Sequence, residues 1–183
     1  MKGISVWMFS KIVMLVFLVV TFSTVLGFMR LTNERVMADS AEALAMQIKD
    51  AMQTALYTHT VSSQAIVPIP KTLPELGDAV PDKSKTKPYT VVIKKITAAE
   101  GDVIYVAIGW GSSPTSFVAA SSFLTKDTGI CADTAISAYP EMRFPSDMKY
   151  LIVKKDTDSG ISVLKLYACN SPEISPDCLG CPT

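Results

Sequence analysis

The sequence predicts an α+β protein in which a long N-terminal helix, first membrane-spanning and then amphipathic, packs on a small antiparallel β-sheet head domain. Three observations lead to this fold class: an uncharged apolar run near the start, a helical apolar period after it, and period-two strands beyond residue 60. The 183 residues carry 17 Lys+Arg and 17 Asp+Glu, so no basic surface for nucleic acid is expected. We expect four divisions of the chain: a short N-terminal segment (1–3), a membrane-spanning helix (4–30), an amphipathic helix (31–60) and a β-rich head domain (61–183).

The second division, 4–30, is predicted to cross a membrane. Residues 12–29 contain no charged side chain, and residues 4–29 contain only Lys11. At about 1.5 Å per residue, the longer stretch covers a hydrocarbon core of about 30 Å. A removable secretory signal is the alternative, but such signals have a shorter apolar core and end at an Ala-x-Ala-like site, which Leu26-Gly-Phe-Met-Arg30 lacks. The hydroxyls of Thr21 and Thr24 are expected to bond to the helix backbone.

The cysteines predict the orientation of the chain in the membrane more clearly than the basic residues do. Lys2 and Lys11 precede the apolar core and Arg30 and Arg35 follow it, so the positive-inside count is nearly balanced. All four cysteines lie in the C-terminal half, and an even number in a small domain is typical of an oxidising exterior. We therefore expect a single-pass protein with a cytoplasmic N-terminus and an extracellular head, which spans residues 61–183.

The third division, 31–60, continues the helix with an amphipathic pattern. Apolar residues recur at three- and four-residue spacing, and no Pro occurs before Pro68. A continuous helix from Ile4 to Thr58 is predicted, with Gly27 and residues 32–33 as possible bends. Its apolar stripe should cover one face of the head. The helix-packing residues are Met37, Ala41, Leu44, Ile48, Met52 and Ala55.

Beyond residue 60 the apolar period approaches two, which is typical of strands. Five or six short antiparallel strands are predicted to form one twisted sheet, and residues 73–87 to form a loop. The pairs Lys94-Lys95 and Lys154-Lys155 are expected at solvent-facing strand ends. The predicted strands are 64–70, 89–96, 102–108, 117–123, 150–155 and 161–167.

Four cysteines, Cys131, Cys169, Cys178 and Cys181, provide the most reactive chemistry in the sequence. Disulfides are predicted, in any of three pairings; reduced thiols, a zinc site and a redox C-x-x-C motif at 178–181 are the alternatives. His59 is the only histidine, and no nucleophile or orienting partner accompanies it. No enzyme activity, cofactor or metal is expected.

The chain resembles a type IV pilin, most closely the archaeal pilin-like proteins with a class III signal peptide. The resemblance rests on Lys2-Gly3 before Ile4 and the apolar run, on the Ala-rich helix 41–48, and on Val67-Pro-Ile-Pro with Leu73-Pro. It implies cleavage after Gly3 by prepilin peptidase, with Lys2, Gly3 and Ile4 as the processing site. Met8 stands at the fifth mature position, where bacterial pilins carry Glu and archaeal members often do not.

The expected function is therefore structural. The resemblance implies a subunit that waits in the membrane and packs by its N-terminal helix into a cell-surface filament. Its expected partners are membrane lipid, identical subunits, prepilin peptidase and the pilus assembly machinery, and no nucleic acid. The alternative is a single-pass anchored extracellular binding or accessory module that does not polymerise.

Overall fold

A computed structural model describes residues 2–58, 60, 62–73, 88–98, 101–111, 114, 116–125, 128–131, 141–158 and 161–181. His59 and most of the loop expected at 73–87 lie outside these residues. The described part comprises α1 (Lys2–Tyr57), β1 (Ser63–Pro68), β2 (Tyr89–Ala98), β3 (Gly101–Trp110), β4 (Phe117–Thr125), β5 (Thr128–Cys131), β6 (Glu141–Pro145), β7 (Tyr150–Asp158), β8 (Ile161–Cys169) and β9 (Leu179–Gly180).

Helix α1 is continuous over 56 residues, or about 84 Å. Neither Gly27 nor residues 32–33 interrupt it. Two threonine hydroxyls bond to the helix backbone as predicted: Thr21 donates to the Phe17 carbonyl at 2.8 Å, and Thr24 to the Thr21 carbonyl at 2.8 Å. These bonds satisfy hydroxyl groups that have no water partner in an apolar environment.

The expectation of one sheet is wrong, because the described strands form two. Sheet 1 has the order β1-β7-β8-β5, with β9 also paired to β8, and sheet 2 has the order β4-β3-β2-β6. Two hairpins, β2–β3 and β7–β8, are extended by further strands, among them β6 beside β2 and β1 beside β7. The hairpins consequently become the centres of separate sheets.

Three strands have weak sequence signals and are absent from the predicted set. Strand β5 has only four residues and pairs parallel to β8, and β9 has only two residues. Strand β6 ends at Pro145, yet it pairs antiparallel with β2 through Val91 and Phe144. Each is held by its neighbour in the sheet more than by its own periodicity.

The core joins the second half of α1 to both sheets. Five of the six residues expected to pack from the helix are buried, and Met37 is half-buried. They share one buried core with inner-face side chains of sheet 1, such as Leu151 and Leu166, and of sheet 2, such as Ile93 and Val106. The buried helix residues of this core are Ala41, Leu44, Ala45, Ile48, Met52, Ala55 and Leu56.

The C-terminal end of α1 is capped by strands of sheet 1. Lys155 donates from Nζ to the carbonyls of Leu56 and Thr58, each at 2.9 Å, and Ser63 donates from Oγ to the Ala55 carbonyl at 2.6 Å. The last carbonyls of a helix have no partner within the helix, and a cation there also complements the dipole. Lys155 is therefore a capping residue, and its expected solvent-facing role is corrected.

Lys95 also turns inward. Its Nζ lies 2.5 Å from Asp102 Oδ2 and donates to the Thr128 carbonyl at 2.8 Å, with the Lys95 side chain 19% exposed. These contacts link β2 and β3 of sheet 2 to β5 of sheet 1. The period-two pattern alone assigned Lys95 to a solvent-facing strand end, but Asp102 on the neighbouring strand and the Thr128 carbonyl of sheet 1 are its partners.

We expect Lys155→Gln to lower the free energy of unfolding by about 1–2 kcal/mol, because the carbonyls of Leu56 and Thr58 at the end of α1 lose a charged donor. Lys154→Gln is the matched control, since the neighbouring Lys154 makes no hydrogen bond to α1 among the described residues. Urea unfolding followed by near-ultraviolet circular dichroism measures both variants. Equal losses in the two variants would contradict the capping role.

Candidate functional site

The largest exposed feature of the described residues is the first half of α1. Every side chain from Trp7 to Leu31 is exposed, whereas Ala41 is fully buried. Within the described residues, α1 is the one helix that is long and apolar enough to span a membrane. None of the residues in its most apolar segment is buried. This all-round apolar surface needs lipid or other helices to cover it.

A cation and an aromatic ring mark the N-terminal end of this surface. Lys11 Nζ lies 3.9 Å from the centroid of the Trp7 ring, which is cation–π geometry. The candidate processing residues Lys2, Gly3 and Ile4 form the first turn of α1. The N-terminal turns therefore combine the helix start with the only charge inside the apolar run.

An ion pair marks the other end. Arg30 Nε lies 3.3 Å from Glu34 Oε1, and the two side chains are 83% and 58% exposed. Such an exposed pair adds little stability, but it shows where the helix surface becomes polar. An open apolar groove beside this end of the helix surface is lined by Thr24, Val25, Phe28, Met29 and Thr32.

A short stalk separates the apolar surface from the head. Residues 32–40 are exposed or half-buried where their side chains are described, and burial begins at Ala41. From Leu31 to Ala41 the helix rises about 15 Å. The head is thus held away from the apolar surface by a rigid, polar piece of the same helix.

The cysteines form two disulfides, Cys131–Cys181 and Cys169–Cys178, with Cα atoms 5.3 and 4.5 Å apart. This is one of the three pairings that the sequence leaves open. In it, Cys178 and Cys181 of the C-x-x-C motif bond to different partners and not to each other. No described cysteine is free for zinc or thiol chemistry.

The longer disulfide joins two strands along one edge of sheet 1. Strand β5 pairs with β8 through Cys131 and Lys165, and β9 follows on the same side of β8 through Gly180 and Tyr167. The backbone amide of Cys181 donates to the Leu166 carbonyl at 3.0 Å. Gly180 has φ +132°, and a Cβ there would lie 2.1 Å from that same carbonyl, so a glycine is required.

The shorter disulfide fixes the C-terminal segment across the outer face of sheet 1. Ile152 and Tyr167 point away from α1 and are buried with Cys169 and Cys181, and Ile174 packs against them. The two disulfides therefore close a second, smaller core on the side of sheet 1 opposite the helix.

Sheet 2 leaves an apolar row exposed on its outer face. Ile96, Val103 and Leu124 are neighbours by register on β2, β3 and β4; Ile96 is 41% and Leu124 59% exposed. The Tyr57 hydroxyl donates to the Leu124 carbonyl at 3.5 Å, so the row lies near the C-terminal end of α1. The sequence analysis did not predict this row. Apolar residues at consecutive positions of a strand, which place apolar side chains on both faces of the sheet, would have indicated it.

The opposite end of the head is fixed by Tyr89. Its buried hydroxyl donates to the Pro70 carbonyl and thereby ties β2 to the residues that follow β1. Burial raises the pKa of the Tyr89 hydroxyl well above its ordinary value, so it remains a proton donor. Trp110 is half-buried and packs against the main core.

The described residues contain no group of three or more His, Cys, Asp or Glu side chains with metal-binding geometry. The arrangement is an exposed apolar helix, a polar stalk and a disulfide-bonded head of two sheets. Comparison with known proteins finds no family model, curated protein or solved structure that matches the chain.

Proposed function

We propose that the protein is a structural, pilin-like subunit, anchored in a membrane by α1 and then packed by the same helix into a cell-surface filament. One observation carries the proposal: a single helix is apolar and exposed over Trp7–Leu31, and forms part of the head core from Ala41 to Leu56. A helix of this kind joins the head rigidly to whatever covers its apolar half.

The same apolar surface suits lipid and neighbouring helices. Lipid covers it before assembly, and helices of identical subunits replace lipid in the filament. In this proposal the groove lined by Thr24, Val25, Phe28, Met29 and Thr32 receives side chains of such a neighbour. The two threonines of this groove have short side chains, which allow a neighbouring helix to approach closely.

In this proposal the N-terminus is cytoplasmic and the head is extracellular. Two disulfides in the head support an oxidising surrounding. Prepilin peptidase then cleaves after Gly3, in the sequence Lys2-Gly3-Ile4 that precedes the apolar run. The assembly machinery adds the mature subunit, which begins at Ile4.

Intact-mass measurement and N-terminal sequencing of the native protein test the proposal, together with electron microscopy of sheared surface material. The expected mature chain begins at Ile4 and is recovered in filaments. Gly3→Leu should retain the leader and remain in the membrane, while Ser5→Ala, two residues away, should be processed normally. Native protein that keeps Lys2 throughout and never enters filaments contradicts the proposal.

An anchored accessory module that does not polymerise is the second candidate. The exposed row of Ile96, Val103 and Leu124 favours it, because an apolar row near the C-terminal end of α1, outside the membrane-spanning half, offers a binding surface for a partner. Unprocessed, membrane-retained native protein that loses a co-purifying partner on Leu124→Ser would support this candidate over the filament subunit.

A further inference from the structure

We propose that the hydrocarbon core of the bilayer encloses residues 12–29 of α1, and that Lys11 and Trp7 lie at the lipid headgroups, where Lys11 binds lipid phosphate. The inference deepens the proposed function by naming the lipid contact. It rests on the membrane-anchored state and is independent of cleavage and polymerisation.

The first argument is length. Residues 12–29 are uncharged and entirely exposed, and at 1.5 Å per residue they extend about 27 Å. The hydrocarbon core of a bilayer is about 30 Å thick, and thinner membranes measure about 27 Å. The uncharged stretch therefore fits one bilayer without help from residues 4–10.

The second argument is the chemistry at the N-terminal boundary. Lys11 Nζ lies over the Trp7 ring at 3.9 Å, and both side chains are exposed. Within the described part of the chain, the ion pairs do not include Lys11. A lysine in hydrocarbon is costly, whereas lysine and tryptophan are both favoured at headgroup level. Lipid phosphate is the anion available to Lys11 there, and the ring faces the ester region.

The third argument is the opposite boundary. Arg30 and Glu34 form an exposed ion pair directly after Met29, and such a pair belongs in water or headgroups. The two polar boundaries are thus 19 residues apart along one continuous helix, from Lys11 to Arg30. The buried part of α1, which begins at Ala41, then lies about 18 Å beyond the hydrocarbon edge at Met29.

A competing register begins the hydrocarbon span at Ile4 instead of residue 12, and extends Lys11 from inside the span toward the interface. The two registers differ in the depth of Trp7. In our register Trp7 lies about 7 Å outside the hydrocarbon, and in a span that starts at Ile4 it lies about 5 Å inside, a difference of about 12 Å.

Fluorescence quenching of Trp7 by lipids measures this depth. The full chain carrying Trp110→Phe, with Trp7 as its remaining tryptophan, is reconstituted into vesicles of phosphatidylcholine and phosphatidylglycerol. Some vesicles carry a headgroup nitroxide and others a bromine midway along the acyl chain. Trp7→Phe, which retains Trp110 in the head, supplies the background signal.

The expected result is stronger quenching by the headgroup nitroxide, and a depth about 12 Å shallower than the competing register gives. Lys11→Leu should lengthen the uncharged run to residues 4–29 and move Trp7 inward by about 6 Å, because the centre of the run shifts by four residues. Lys11→Arg, which keeps the cation, should leave the depth unchanged.

Preferential quenching by the mid-chain bromine in the parent protein overturns the register while leaving the anchor intact. An unchanged Trp7 depth in Lys11→Leu overturns the role of Lys11. Failure of the parent protein to associate with vesicles overturns this inference and also the anchored state in the proposed function. Filament formation does not enter any of these outcomes.

Discussion

Replacing Ile48 with Asp is expected to abolish the folded head. Ile48 is fully buried on the face of α1 that contacts both sheets. Truncating a buried Ile to Ala typically costs about 2–5 kcal/mol, and a buried unpaired carboxylate adds several more. That sum approaches or exceeds the whole stability of a domain, about 5–15 kcal/mol.

Gln47→Asp provides the matched control, because Gln47 is the adjacent residue and is exposed. In detergent, the near-ultraviolet dichroism of the head should disappear and trypsin should digest it in Ile48→Asp, with Gln47→Asp unaffected. Ile48→Ala should give an intermediate loss. A protease-resistant head in Ile48→Asp would mean that α1 lies beside the head without forming its core.

The second large effect is expected from the disulfide that joins β5 to β9. Removing Cys131–Cys181 releases a loop with a sequence separation of 50, which the chain-entropy model values at about 4 kcal/mol. Removing Cys169–Cys178, with a separation of nine, should cost about 2.5 kcal/mol. The double variants Cys131→Ala/Cys181→Ala and Cys169→Ala/Cys178→Ala therefore serve as controls for each other.

Urea unfolding of both double variants, as full chains in the same detergent, ranks the two bonds. The 131–181 variant should unfold at the lower urea concentration. It should also lose hydrogen-exchange protection along β5, since a four-residue edge strand has few other constraints. The reverse order, or equal midpoints, would contradict the stapling role of the longer bond.

Local pattern was sufficient to predict α1 and six strands. The helix follows from unbroken apolar and then amphipathic spacing, and the hairpins β2–β3 and β7–β8 follow from alternation around short turns. The two-sheet arrangement depends on pairings such as β2 with β6 and β1 with β7, which are far apart in sequence. No local period encodes such pairings.

The same limit applies to side-chain roles. Lys155 has an ordinary position in a strand, and its capping role appears only when β7 is brought beside the end of α1. The disulfide pairing likewise depends on β5 and β9 sharing an edge of β8. By contrast, the exposed apolar surface of α1 is a property of composition, and sequence alone is sufficient to find it.

The uninterrupted run of α1 from the apolar surface into the core has a mechanical consequence. A pull on the N-terminal half passes along helix hydrogen bonds directly to Ala41–Leu56, without a flexible hinge that could absorb extension. Inside the head that tension acts parallel to the buried stripe, so many side-chain contacts on two sheets resist it together in shear. The polar stalk, as an unbroken part of the same helix, transmits this tension, and the head therefore follows the force on its helix.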